Sequence, residues 1–235
     1  MSAAPKNVLV LAAHPDDEVL GCGGTIALHV RRGDLVTIKF MTDGVGARTA
    51  HGEAAADIVD ERSAAAWKAA AVLGVSRLEF GSFPDNALDT CRLLDLAKAI
   101  EAVIEAVAPD VVYTHFTGDL NIDHELTHRA VLTALRPMAG RPNPSIFCFE
   151  VPSSTEWAGA HMRPAFRPAR YVDISTVMDI KLEALRAYDT ELRPFPHPRS
   201  IEAVTALATV RGAASGLQRA EAFVVEREIA GPEHL

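Results

Sequence analysis

Short apolar runs rich in β-branched residues alternate along this chain with segments of helix length, and that rhythm restricts its fold more than any other feature. The runs Asn7 to Ala13, Leu35 to Met41, Arg77 to Phe83, Asp110 to Phe116 and Ser145 to Val151 have the length and composition of strands, and the most apolar of them need cover on both faces. Between them the spacing becomes helical: from Glu18 through Val19, Leu20, Ile26, Ala27 and Val30; from Ala54 to Leu73, stopped by Gly74; from Asp89 to Ala108, stopped by Pro109; and through Ala130, Val131 and Leu135 to Arg136-Pro137. Connections of this length join parallel neighbours, so an α/β fold is expected, with a Rossmann-like, mainly parallel sheet carrying helices on both faces. Ligands of such sheets bind outside the carboxyl ends of the strands. The loops holding His14, Asp43, Asp85 and His124 all leave carboxyl ends and are therefore expected to share one rim.

After Pro152 the rhythm breaks. Prolines crowd 163–168 and 193–198, around a strand-like Arg170 to Ile174 and a helix at Met178 to Tyr188; a further helix at Ile201 to Arg211 and a strand at Ala222 to Glu228 follow. With 235 residues, 49% of them hydrophobic, the chain suffices for one large core. The expectation is a single domain over 1–235, with an α/β core (1–152) and a C-terminal elaboration (153–235) serving as a lid or a subunit contact.

The loop after the first strand carries the chemistry. His14-Pro15-Asp16-Asp17-Glu18 places one imidazole and three carboxylates within five residues, where a buried strand meets a helix N-terminus. Acids this close repel one another unless a cation or the helix dipole compensates. Imidazole with carboxylate is a ligand set that zinc or ferrous iron accepts. Helix capping by Asp16 or Asp17 explains one acid and leaves the rest of the run unexplained.

Charge and cysteine usage narrow the partners. Thirty-one acidic against twenty-three basic residues, a net charge of −8, argue against a general nucleic-acid binder. Cys22, Cys91 and Cys148 are odd in number and far apart, which fits reduced thiols in a cytoplasmic protein. No stretch reaches the roughly 18 apolar residues of a membrane span. A dinucleotide-binding role is disfavoured, because the first strand exits into acids rather than a GxGxxG turn, and those acids would repel a pyrophosphate.

The run Ala13-His14-Pro15-Asp16-Asp17-Glu18, with Asp123-His124 after a later strand, resembles the signature of the PIG-L/LmbE-like metal-dependent N-deacetylases. Thr42-Asp43-Gly44-Val45-Gly46-Ala47-Arg48, Phe83-Pro84-Asp85-Asn86, Arg211-Gly212 and Ala220-Glu221-Ala222-Phe223 extend the likeness over nearly the whole chain. The resemblance implies hydrolysis of the acetamide of an N-acetylated sugar or glycoconjugate, with zinc, or alternatively ferrous iron, held by His14, Asp17 and His124. It makes Asp16 the general base and Asp85 a contact for sugar hydroxyls, against the competing reading of Asp85 as a turn residue. It also implies a homo-oligomer. Two imidazoles and one carboxylate leave a coordination position open for water, the pattern of a catalytic zinc. Arg48 is the favoured contact for an anionic substrate group, with Arg62 as its alternative. Many relatives carry His-Pro-Asp-His where this chain has Asn121-Ile122-Asp123-His124. Asn121 can donate to an oxyanion but cannot shuttle a proton, so either Asp16 serves as both base and acid or His115 or His197 fills the second role. His124 and His128, at i and i+4, form a competing ligand pair, against which His124 alone is favoured as the ligand and His128 is read as a structural polar residue. A catalytically silent binding subunit and a hydrolase of another acyl amide remain the alternatives.

Overall fold

Residues Asn7–Ala12 form β1, an interior strand of a seven-stranded sheet, in a computed structural model that describes residues 4–42, 54–159, 161 and 163–230. Its side chains alternate between two cores. Val8, Val10 and Ala12 join one apolar cluster and Leu9 and Leu11 the other, so burial on both faces accounts for the uninterrupted apolar run. Leu35–Thr42 (β2), Arg77–Phe83 (β3), Val111–His115 (β4) and Ser145–Phe149 (β5) complete the parallel part, in the order β3-β2-β1-β4-β5.

Helices Asp17–Arg32 (α1) and Ala54–Leu73 (α2) bring residues to the first cluster, whereas Leu93–Val107 (α3) and Ile122–Ala134 (α4) supply the second. The strand order reverses between β1 and β4, which puts the crevice of the fold beside the first motif. No described helix is long and apolar enough to cross a membrane.

The C-terminal segment does more than cover the rim, the role expected of it from sequence. Arg170–Asp173 (β6) and Ala220–Arg227 (β7) extend the sheet itself, with β7 inserted antiparallel between β5 and β6. Met178–Arg186 (α5) and Ile201–Ala213 (α6) lie between them in sequence.

Helix α1 is also less regular than its apolar spacing predicts, because it kinks at Cys22 (φ −146°, ψ 23°). An unbroken helix would pair Leu20 C=O with Gly24 N–H. Here Lys181 Nζ donates to Leu20 C=O at 2.9 Å, and Glu221 accepts from Gly24 N–H at 2.9 Å and Thr25 N–H at 2.7 Å. The lysine and the glutamate are buried and pair with each other at 2.6 Å. Glycine is needed at the kink for close approach: a Cβ on Gly21 would fall 2.3 Å from the Phe149 ring.

Candidate metal centre

Of the four loops expected at one rim, the Asp43 loop lies outside the described residues, and the other three, those after β1, β3 and β4, converge. His14 Nδ1 lies 3.2 Å from Asp17 Oδ2, and His124 Nε2 lies 3.3 Å from the same oxygen, so two imidazoles and a carboxylate face one point. All three residues are buried. Each imidazole meets a further carboxylate through its other nitrogen: His14 Nε2 is 3.0 Å from Asp85 and 3.1 Å from Asp123, and His124 Nδ1 is 3.1 Å from Asp119. Such outer partners fix ring orientation and raise ligand basicity. Asp123 is held in turn by the backbone N–H groups of Asn86 (2.7 Å) and Leu88 (3.0 Å), and Asp119 by the hydroxyls of Ser154 and Thr155.

The donor set suits a cation better than it satisfies itself. Asp17 Oδ1 and both ring nitrogens of His124 are buried without a hydrogen bond of proper geometry. Groups orphaned in this way are costly unless something else fills their valence. Burial works to lower the His124 pKa, but Asp17 and Asp119 outweigh it and push it up to about 9. Likewise burial is outweighed at His14 by Asp123, Asp17 and Asp85, which raise it well above 6.5. Both rings therefore sit in a strongly negative potential, which a divalent ion would neutralise.

Asp16 occupies a strained backbone position, φ 119° and ψ −29°, in a region that non-glycine residues rarely adopt. Its C=O accepts from Val19 and Leu20, which starts α1, and its N–H donates to the Glu18 carboxylate at 3.0 Å. Burial raises the Asp16 carboxyl to about 6 against the opposing pull of Arg199, whose Nη1 is 2.7 Å from Asp16 Oδ2. Arg199 also reaches Glu191 at 3.3 Å. Glu191 pairs with Arg62 as well, and Arg62 lies 3.9 Å from Asp85. The rim thus carries an alternating chain of charges, Asp16–Arg199–Glu191–Arg62–Asp85.

Several sequence expectations change in this setting. Arg62, considered second to Arg48 and as a partner for a surface acid, faces the site instead; Arg48 and Asp43 lie outside the described residues. His128 does not join His124: its Nδ1 is 3.0 Å from His115 C=O, and it groups with Cys148 and Glu226. His115 is fully buried against the His124 ring (centroids 3.9 Å apart) and its Nε2 accepts from Ala13 N–H. Burial, then the neighbouring His124, pushes its pKa well below the usual imidazole value. Asn121 caps α4 by accepting from Asp123 N–H at 2.8 Å, and it donates to Asn86 Oδ1 at 3.1 Å. From sequence neither Asp119 nor Glu191 stands out, and Arg199 does so only as part of the basic segment 196–200, which could close over the rim or form an oligomer contact. Asp119 has a local signal, a carboxylate five residues before His124 in the same loop; Glu191 has none.

The chain is similar to several known proteins. The family described as PIG-L: GlcNAc-PI de-N-acetylase matches residues 9–135. The diacetylchitobiose deacetylase of Thermococcus kodakarensis is 28% identical over 194 residues, spanning 79% of this chain and 70% of that protein. The 4-oxalmesaconate hydratase of Pseudomonas putida is 32% identical over 206 residues, 79% of this chain and 74% of that one. Among solved structures, the conserved protein TT1542 from Thermus thermophilus superposes with a TM-score of 0.75 at 25% identity, covering 97% of this chain and 98% of its own.

Proposed function

Since the chain belongs to the PIG-L family of de-N-acetylases, we propose that it hydrolyses the acetamide of an N-acetylated amino sugar or its glycoconjugate with a divalent metal at His14, Asp17 and His124. The observation that carries this reading is the buried His-Asp-His group with unfilled valences, set beside an aspartate whose carboxyl sits near 6. Zinc, or ferrous iron, bound there supplies Lewis-acid activation of a water and of the acetyl carbonyl.

The chain's own residues do the rest. Arg199 takes Asp16 Oδ2 and leaves Oδ1 to accept the proton of the attacking water. The buried Asp16 carboxylate beside the metal group is placed to take that proton and to pass it on to the departing amine, so Asp16 serves as base and then acid. Asn121 uses one amide hydrogen on Asn86; the second is available to the developing oxyanion. Asp85 and Arg62 stand where sugar hydroxyls would be held, and Arg48 is retained as a contact for an anionic group.

The test is acetate release from a panel of N-acetylated sugars by zinc- or iron-loaded protein, alongside Asp16→Asn. The variant should keep its metal and lose about 10²- to 10⁴-fold in rate. Loaded wild type that releases no acetate from any member of the panel would sink the reading. The hydratase relative supports a second one, addition of water to an unsaturated carboxylate by the same machinery. Turnover of 4-oxalmesaconate without acetate release would select it.

A further inference from the structure

Two turns from distant parts of the chain are tied together over the site. In the first, Ser154 and Thr155 bind Asp119, the carboxylate beside His124. In the second, Arg199 reaches Asp16 and also donates through Nε to Ser153 Oγ at 2.7 Å. Between the turns, the rings of Trp157 and His197 meet edge to face, with centroids 5.7 Å apart and planes at 82°. Trp157 is 52% exposed, so the burial that normally stabilises an indole is forgone. His197 Nδ1 accepts from Arg199 N–H at 3.1 Å, which places the proton of the neutral ring on Nε2 as a donor.

We propose that Trp157 and His197 form a subsite for a second, uncharged pyranose, the sugar that carries the acetamido sugar being hydrolysed. A pyranose has an apolar C–H face and a hydroxyl edge; an exposed indole with imidazole and indole N–H donors beside it matches both. The charges favour a neutral ring over a carboxylate-bearing group. Arg199 is engaged by Asp16 and Glu191, Arg62 by Glu191 and Asp85, and Glu156 adds a further acid to the Trp157 turn. The inference rests on the deacetylase reading and names its substrate class.

The experiment compares kcat and KM on N,N′-diacetylchitobiose, N-acetylglucosamine and N-acetylglucosaminyl malate for metal-loaded wild type, Trp157→Ala and Trp157→Phe. Wild type should favour the disaccharide. Trp157→Ala should raise KM for the disaccharide roughly tenfold, leave the monosaccharide unchanged, and be largely rescued by Trp157→Phe. Equal effects on mono- and disaccharide, no effect on either, or a wild-type preference for the malate conjugate overturns the subsite.

A second readout does not depend on turnover. In a Trp67→Phe background, which leaves Trp157 as the fluorophore, saturating chitobiose should shift the emission of the metal-loaded protein, and no shift overturns the subsite. A shift from a protein that deacetylates nothing would retain the subsite and discard the deacetylase reading.

Discussion

Two buried clusters of charge in the molecule are treated in opposite ways. At the kink of α1, Lys181 and Glu221 pair with each other and take up the backbone groups that the broken helix releases, so the charges are matched and hydrogen-bonded. At the rim, His14, Asp17 and His124 face one another with Asp17 Oδ1 and the His124 nitrogens unsatisfied. A buried polar group with partners is architecture; one without them is waiting for a ligand. Both clusters meet the same helix: Asp17 begins α1, and Lys181 of α5 and Glu221 of β7 take up the backbone groups at its middle, so the satisfied pair fixes the shape of the helix that presents Asp17.

Breaking each cluster should therefore fail differently. The largest effect is expected for Asp17→Ala or His124→Ala, which should abolish metal binding by elemental analysis and lower acetate release roughly 10³-fold or more, with the fold retained by circular dichroism. Lys181→Ala should do the reverse: it leaves Glu221 charged without its partner and costs about 3–5 kcal/mol in denaturant unfolding, while metal stoichiometry per folded molecule is unchanged. Loss of metal with normal stability in Lys181→Ala would erase the distinction between the clusters.

The charge chain of the rim tests an intermediate case. Glu191→Ala frees Arg199 and Arg62 together and should lower kcat/KM about 10- to 100-fold without metal loss. Glu191→Gln, which keeps an acceptor, should lie nearer to wild type.

A further effect, one that depends on pH, concerns Glu18. Burial is the main cause that raises its carboxyl from 4.5 to about 8, with Tyr188 O–H at 2.7 Å pulling the other way. The folded protein thus keeps a proton that the unfolded chain has lost. Its stabilising contribution is full below 4.5 and disappears as pH rises through 8, at up to about 1.4 kcal/mol per pH unit. In chelator-treated protein, Glu18→Gln should flatten the stability profile between pH 5 and 8; an unchanged slope would show that Glu18 is ionised there.

What was legible in the sequence follows from locality. Strands β1, β2, β4 and β5 announce themselves because their apolar runs are largely buried where they stand. The shared rim followed from connection length, since helix-sized crossovers put every loop of that set at carboxyl ends. The pairing of Asp16 with Arg199 spans 183 residues, and no periodicity encodes it. The kink at Cys22 was hidden for a related reason: Val19, Leu20, Ile26 and Ala27 keep helical spacing across the break, and the acid that makes the break tolerable, Glu221, comes from the far end of the chain. Placing β7 inside the sheet rather than at its edge likewise depends on a partner, β6, that precedes it in the chain.

That placement of β7 has a consequence for how the protein is made. During synthesis β6 emerges before the strand that will join it to β5, so it has no sheet neighbour until residues 220–227 have left the ribosome. Glu221 arrives with them, and until it does Lys181 is a cation without its counter-ion and the middle of α1 lacks the carboxylate that receives Gly24 and Thr25. The proposed metal ligands are all encoded by residue 124, yet helix α1 takes its final form only when the last of the described strands has been translated.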